Sequence, residues 1–166
     1  SDAELTELAL ELREKAQAAG IRLILSGQPE LAFKLELDGV HLGIRHGRLS
    51  KIKEEWGGKM LLGFSAHNLS QAAAAEKIGM DYAFLSPIFS PLSKPETRTP
   101  LGILPVAEAV AALKLPLFAL GGVTAENVGE IAASGVRGVA LISSVMHAEN
   151  PVQAARAIAD NFYRDR

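Results

Sequence analysis

Cysteine is absent from this chain of 166 residues. Disulfide bonds, thiolate metal ligands and cysteine nucleophiles are therefore excluded. The lack of cysteine fits a reducing compartment, and we expect a cytoplasmic protein. The longest apolar runs have the length of a strand, so we expect no membrane-spanning helix. Residues 1–4 have neither the basic region nor the apolar core of a signal peptide, and we do not expect one.

The chain also lacks a strong surplus of either charge. It has 17 Lys and Arg against 19 Asp and Glu, which gives a formal net charge of −2. A basic surplus typical of nucleic-acid-binding proteins is missing, and so is an acidic block typical of a disordered tail. Because 48% of the residues are hydrophobic, we expect one globular domain over residues 1–166 with a substantial core.

Strand-like apolar runs alternate with helical segments along the chain. Six strands are predicted, over residues 21–25, 39–43, 60–65, 82–85, 117–120 and 138–142. A helix precedes the first strand, and a helix follows each strand, the last starting at Asn150-Pro151. Continuous apolar strands joined by helices indicate a parallel α/β fold, either an open doubly wound sheet or a β/α barrel. Length alone favours the open sheet, because a complete barrel usually needs ~250 residues.

Ligands of both architectures bind at the carboxyl ends of the strands. Gly121-Gly122 follows the fifth strand and Ser143-Ser144 follows the sixth. Glycine lets the main chain approach an anion, and a helix N-terminus offers unpaired N–H groups. These two turns therefore predict a phosphate site. The alternative is that they are ordinary turn glycines and helix-capping serines.

Other polar residues stand near predicted strand ends. The loop 86–102 carries Ser93 and Lys94, which suit a phosphate or diphosphate if the loop is not simply solvated. Ser65 and His67 end the third strand, where a ligand would lie, whereas His41 is predicted to be a buried, hydrogen-bonded histidine. No histidine pair has metal-ligand spacing, so no metal site is predicted from the residues themselves. The aromatic residues are predicted to be core: Phe33, Trp56, Phe64, Phe84, Phe89 and Phe118.

Several segments, in order along the chain, resemble thiamine-phosphate synthase and its TenI relatives. They are Asp38-Gly39-Val40-His41-Leu42-Gly43, Gly63-Phe64-Ser65-Ala66-His67, Asp81-Tyr82-Ala83-Phe84-Leu85-Ser86-Pro87-Ile88-Phe89, Ser93-Lys94-Pro95, Pro100-Leu101-Gly102, Ala119-Leu120-Gly121-Gly122-Val123, Asn127 and Gly138-Val139-Ala140-Leu141-Ile142-Ser143. The resemblance implies a TIM-type β/α barrel. It also implies a transferase that couples hydroxymethylpyrimidine diphosphate to thiazole phosphate, with Mg²⁺ present.

The resemblance also assigns roles to residues. It implies that Gly122, Ile142 and Ser143 hold the thiazole phosphate. It implies that Lys94 neutralises the departing diphosphate and that Ser65 contacts the same group. Ser93 stands where the family often has threonine. Phosphorylated thiazole and pyrimidine ligands are the expected partners.

The sequence departs from the family pattern at several positions. The magnesium carboxylates of the family are replaced by Ser26-Gly27 and by the segment Ile44-Arg45-His46-Gly47. Pro87 occupies the position of the proton-transferring histidine of TenI-type thiazole tautomerases. A tautomerase or a non-catalytic thiamine-phosphate-binding protein therefore remains an alternative to a synthase.

The chain begins where the second helix of the family begins. A barrel with only six strands is expected to leave two strand edges open. Three explanations are left open at this point: a longer chain, a rearranged fold, or a homo-oligomer that covers the edges.

Overall fold

The strands form a single sheet whose order follows the chain. In the computed structural model, which describes residues 2–90 and 99–164, the parallel strands pair in the sequence β1-β2-β3-β4-β5-β6. They are β1 (Ile24–Ser26), β2 (Gly39–Leu42), β3 (Leu61–Ala66), β4 (Tyr82–Leu85), β5 (Leu117–Leu120) and β6 (Gly138–Ala140). A doubly wound sheet would reverse its order at a switch point. This sheet does not, and it curls into a half-barrel, so the predicted incomplete barrel-type fold is confirmed.

Helices connect and flank the strands. They are α1 (Asp2–Ala18), α2 (Pro29–Lys34), α3 (Leu49–Trp56), α4 (Leu69–Ile78), α5 (Ile103–Ala112), α6 (Val128–Ala133), α7 (Ser143–Met146) and α8 (Pro151–Tyr163), with a short 3₁₀ turn at Ile44–His46. The side chains of Asn68 and Asn150 accept the amide N–H groups of Gln71 and Gln153, and so cap α4 and α8. Within the described residues, none of these helices combines the length and the apolar character needed to cross a bilayer.

The two faces of the sheet have different surroundings. Val40, Leu42 and Leu62 are fully buried on the outer face, where the helices cover the sheet. Because side chains alternate along a strand, His41 and Tyr82 point to the inner, concave face instead, and both are only half-buried. The core therefore lies between sheet and helices, and the concave face remains accessible to ligands.

Some predicted boundaries and burials were wrong. β1 begins at Ile24 rather than at residue 21, and Ile21 is 62% exposed. β6 ends at Ala140, because Ile142 turns out of the sheet as the residue that precedes α7. Phe33, Phe84 and Phe118 are not core. Phe33 is half-exposed and packs on Trp56, with ring centroids 4.9 Å apart, and Phe84 and Phe118 are half-buried on the concave face.

The outer strands β1 and β6 each have one strand neighbour among the described residues. The expected open edges are therefore present in the part of the chain that the structure describes. A homo-oligomer that covers them stays a prediction.

Candidate active site at the carboxyl edge of the sheet

A cavity of about 390 Å³ opens at the carboxyl ends of β1, β2 and β3. Its lining comes from the last residue of β1, from β2 and β3, and from the 3₁₀ turn that follows β2. The lining residues are Ser26, His41, Gly43, Ile44, Arg45, His46 and Ser65. Hydroxyl, imidazole and guanidinium groups therefore face one space, and none of the described residues that line it is a carboxylate.

Three side chains on neighbouring strands form a hydrogen-bonded row across the concave face. His41 Nε2 lies 2.8 Å from Ser65 Oγ, and His41 Nδ1 lies 3.2 Å from the Tyr82 hydroxyl. The strand register brings them together, because His41 pairs with Gly63 and Gly63 pairs with Tyr82. The His41 ring also stacks on Phe84, with centroids 4.4 Å apart. His41 is thus hydrogen-bonded on both ring nitrogens as predicted, but it is half-buried and lines the cavity rather than being buried.

Burial keeps this row in its neutral form. Burial lowers the pKa of His41 to about 4, and the charge of nearby His46 lowers it in the same direction. Burial also raises the pKa of Tyr82 to about 12, with Asp81 adding to the rise. At neutral pH the tyrosine therefore keeps its proton. The imidazole of His41 carries one proton, either on Nδ1 or on Nε2.

The row can orient the Ser65 hydroxyl toward the cavity. If the Tyr82 O–H donates to His41 Nδ1, the ring proton lies on Nε2 and donates to Ser65 Oγ. The hydroxyl hydrogen of Ser65 is then available to a ligand. The opposite tautomer would use that hydrogen within the row, so an anion in the cavity selects the first arrangement.

His46 fills the space above Gly27. Its Nδ1 lies 2.8 Å from the amide nitrogen of Gly43 and 3.1 Å from the Gly43 carbonyl oxygen. Because an amide N–H can only donate, we take the shorter contact as the hydrogen bond, which leaves the ring proton on Nε2. A Cβ atom on Gly27 would lie 2.9 Å from that Nε2. A side chain at position 27 would therefore displace the His46 ring, and the Gly27 φ of +72° also favours glycine.

A second polar region follows β5. Gly121 and Gly122 have φ angles of +100° and +65°, a range that favours glycine. A Cβ on Gly122 would also lie 2.6 Å from the carbonyl oxygen of Ser90. Asn127 holds the turn: its Oδ1 accepts the Thr124 N–H at 2.8 Å, and its Nδ2 donates to the Gly122 carbonyl at 2.8 Å.

The segment after β6 lies beside this glycine turn. Leu120 and Ala140, the last residues of β5 and β6, are register partners. Ile142 then precedes α7, and Ser143 and Ser144, in its first turn, are half-buried. The structure thus brings the five predicted phosphate-binding residues to one corner of the sheet. Their role in holding phosphate stays a prediction.

Sequence comparison identifies the family of this chain. The sequence model of the family described as thiamine monophosphate synthase matches residues 1–145. The chain belongs to this family. It is 36% identical over 155 residues to the thiamine-phosphate synthase of Pelotomaculum thermopropionicum, covering 92% of this chain and 71% of that protein. It is 37% identical over 158 residues to that of Chlorobium luteolum, covering 95% and 74%.

Solved structures agree with the family assignment and the fold. The thiamine phosphate pyrophosphorylase of Pyrococcus furiosus superposes with a TM-score of 0.89 at 26% identity, covering 99% of this chain and 78% of that one. The 3-hexulose-6-phosphate synthase of Salmonella typhimurium superposes with a TM-score of 0.70 at 16% identity, over 97% and 81% of the two chains, which supports the fold alone. The resemblance inferred from the motifs is confirmed.

Not every predicted site residue of this family member reaches the cavity. Ser65 lines it, but His67 does not: its Nδ1 donates to the Ser86 carbonyl oxygen at 2.7 Å. The predicted Ser93 and Lys94 lie outside the described residues. Arg45, His46 and Tyr82 were missed as site residues, and His41 was predicted to be buried but lines the cavity. Arg45 and His46 closely follow the second strand, and that position was a usable signal. Tyr82 is the first residue of an apolar strand and gave none.

The cavity does not fit the Mg²⁺ that the family implies. Protein-bound Mg²⁺ usually takes one or two carboxylates together with substrate phosphate oxygens. The cavity offers hydroxyls, two imidazoles and an arginine. Asp38 and Asp81 precede β2 and β4, at the opposite end of the sheet, where they accept the Leu23 and Leu62 amides. Across the described residues, no group of three or more His, Asp or Glu side chains is arranged to hold a metal ion.

Proposed function

We propose that this protein is a thiamine-phosphate synthase-like transferase that couples hydroxymethylpyrimidine diphosphate to thiazole phosphate. One observation carries the proposal. Two regions suited to anions, the cavity at β1–β3 and the glycine turn with α7 at β5–β6, lie on the same carboxyl edge of one sheet. A reaction that joins two phosphorylated substrates needs two such regions. The family to which the chain belongs supplies the identity of the substrates.

The spacing of the two regions supports this assignment. Neighbouring strands lie about 4.8 Å apart, so Ser65 on β3 and the turn after β5 are separated by roughly 10 Å along the sheet. The concave face between them carries Phe84 and Phe118, whose rings lie edge to face with centroids 6.1 Å apart. The aromatic rings of the two substrates fit against such a surface, with the diphosphate of one at the first region and the phosphate of the other at the second.

The protein contributes to this reaction mainly by positioning the substrates and by stabilising developing charge. The bond between the pyrimidine methylene carbon and the diphosphate oxygen breaks, and the electron pair leaves with diphosphate. The thiazole nitrogen then donates its lone pair to that carbon. Ser65, oriented by His41, donates a hydrogen bond to the departing diphosphate, where negative charge develops. The neutral His41–Tyr82 pair holds the serine hydroxyl without supplying a proton to the reaction.

The test is product formation by the pure protein. Hydroxymethylpyrimidine diphosphate and thiazole phosphate are incubated with it, with Mg²⁺ or with EDTA, and thiamine phosphate is measured by chromatography. Ser65→Ala should lower kcat by about tenfold or more, because a hydrogen bond to developing charge is lost. Ser50→Ala, on the exposed surface of α3, is the matched control and should leave the rate unchanged.

The outcome also separates the remaining alternatives. Tight binding of thiazole phosphate without product under either condition would favour a non-catalytic binding protein and would overturn the transferase. Isomerisation of the thiazole phosphate alone would favour a tautomerase. Chromatography with light scattering would test the proposed homo-oligomer, and fractionation of the source cells would test the expected cytoplasmic location.

A further inference from the structure

The cavity at β1–β3 is a cationic pocket. Arg45 supplies a guanidinium group, and His46 and Ser65 add further donors to the lining. Arg45 forms no ion pair with any residue, as far as the described ranges 2–90 and 99–164 record. The protein as a whole has a net charge of −2. The positive charge of the cavity is therefore a local feature, and among the lining residues that the structure describes no acidic side chain balances it.

Gly27 and His46 stand in the two segments where the family pattern has magnesium carboxylates, and the two residues lie close together in the structure. The His46 ring, oriented by the Gly43 amide, places Nε2 2.9 Å from the position of a Gly27 Cβ. A larger residue at position 27 would displace this exposed ring, and the Gly27 φ of +72° adds strain for any residue other than glycine. With Gly27 and His46 as they stand, the imidazole lies beside a position where the family pattern has a carboxylate.

We propose that this cavity binds the diphosphate group directly, through Arg45, His46 and Ser65, without a divalent cation. The guanidinium fork donates two parallel hydrogen bonds to phosphate oxygens, and Nε2–H of His46 and the Ser65 hydroxyl donate further bonds. Arg45 supplies positive charge and the other two groups supply hydrogen bonds, where a magnesium site would use a bound ion. The inference rests on the proposed function only in taking diphosphate as the ligand.

Binding of inorganic diphosphate in the presence of EDTA tests the inference, measured by titration calorimetry. The wild-type protein should bind without added metal. Arg45→Ala should weaken binding by about tenfold to a hundredfold, because a charge-assisted bond is lost. The affinity of Arg45→Lys should lie between those of the wild type and Arg45→Ala, because lysine keeps the charge but lacks the two-pronged guanidinium. Arg22→Ala, an exposed arginine that precedes β1 at the opposite end of the sheet, is the control and should bind as the wild type does.

Two results would overturn the inference. One is that the wild type binds diphosphate only when Mg²⁺ is added, or under neither condition. The other is that Arg45→Ala and Arg22→Ala bind equally well. Thermal melting checks that each variant folds, which we expect because Arg45 is exposed.

The coupling assay keeps this inference distinct from the proposed function. Product formed only with Mg²⁺ would support the transferase and contradict the metal-free site. Diphosphate binding in EDTA without any product would support the site and contradict the transferase.

Discussion

Acidification should destabilise this protein through one half-buried histidine, His41. Burial lowers the pKa of His41 from its ordinary value of 6.5 to about 4. Between these values the unfolded chain binds a proton at residue 41 and the folded chain does not, so stability rises with pH across this window. The contribution is fully present above pH ~6.5 and is lost as the pH falls toward 4. The shift corresponds to at most about 3 kcal/mol, and solvent screening of the partly exposed ring reduces this to about 1–2 kcal/mol.

Urea denaturation at several pH values between 4 and 7 measures this effect. The free energy of unfolding of His41→Gln should fall less steeply toward pH 4 than that of the wild type, by the same 1–2 kcal/mol. His147→Gln, which removes an exposed histidine after α7, should follow the wild-type curve. Parallel curves for the wild type and His41→Gln would refute the argument, as would an NMR titration of the His41 ring with a midpoint near 6.5.

Three substitutions test the packing around the two regions. Gly63→Ala would drive a Cβ into the Tyr82 ring and His41 Nδ1, so we expect a loss of about 1–3 kcal/mol in chemical denaturation; Gly129→Ala, with open space around it, should show none. In Gly122→Ala the new Cβ would meet the Ser90 carbonyl oxygen, and the φ of +65° is unfavourable for alanine. We expect KM for thiazole phosphate to rise at least about tenfold. An unchanged KM would contradict the phosphate role. Asn127→Ala leaves the Thr124 amide without its acceptor, which should cost about 1–2 kcal/mol and show as a lower melting temperature; an unaltered melt would mean that the turn does not need Asn127.

Sequence patterns located the elements well where local signals were strong. The strands Tyr82–Leu85 and Leu117–Leu120 and the helix Leu49–Trp56 have the bounds that their apolar spacing predicts. The first strand begins three residues later than its apolar run predicts. Its start is set by the neighbouring strand, because Ile24 is the first residue that pairs with β2, opposite Gly39. An apolar run does not show where a neighbouring strand begins.

The candidate site was predicted only in part. Ser65, Gly121 and Gly122 could be identified because each lies at or just after a strand end, where β/α folds bind ligands. His41 and Tyr82 lie 41 residues apart in the chain, and nothing local indicates that they share a hydrogen bond. The contact depends on the register of β2, β3 and β4, in which Gly63 has no side chain to separate them.

The amino-acid sequence alone determined the alternation of strands and helices, the family, and the loss of acidic residues at positions 26–27 and 44–47, because these are properties of residue type and order. The tertiary structure decided that His46 occupies the space above Gly27 and that Arg45 faces the same cavity as Ser65. Such contacts join segments about 20 residues apart, and they depend on how the sheet curls and where each loop turns back. A missing carboxylate is visible in a sequence, whereas the cationic pocket that stands in its place is visible only in the folded chain.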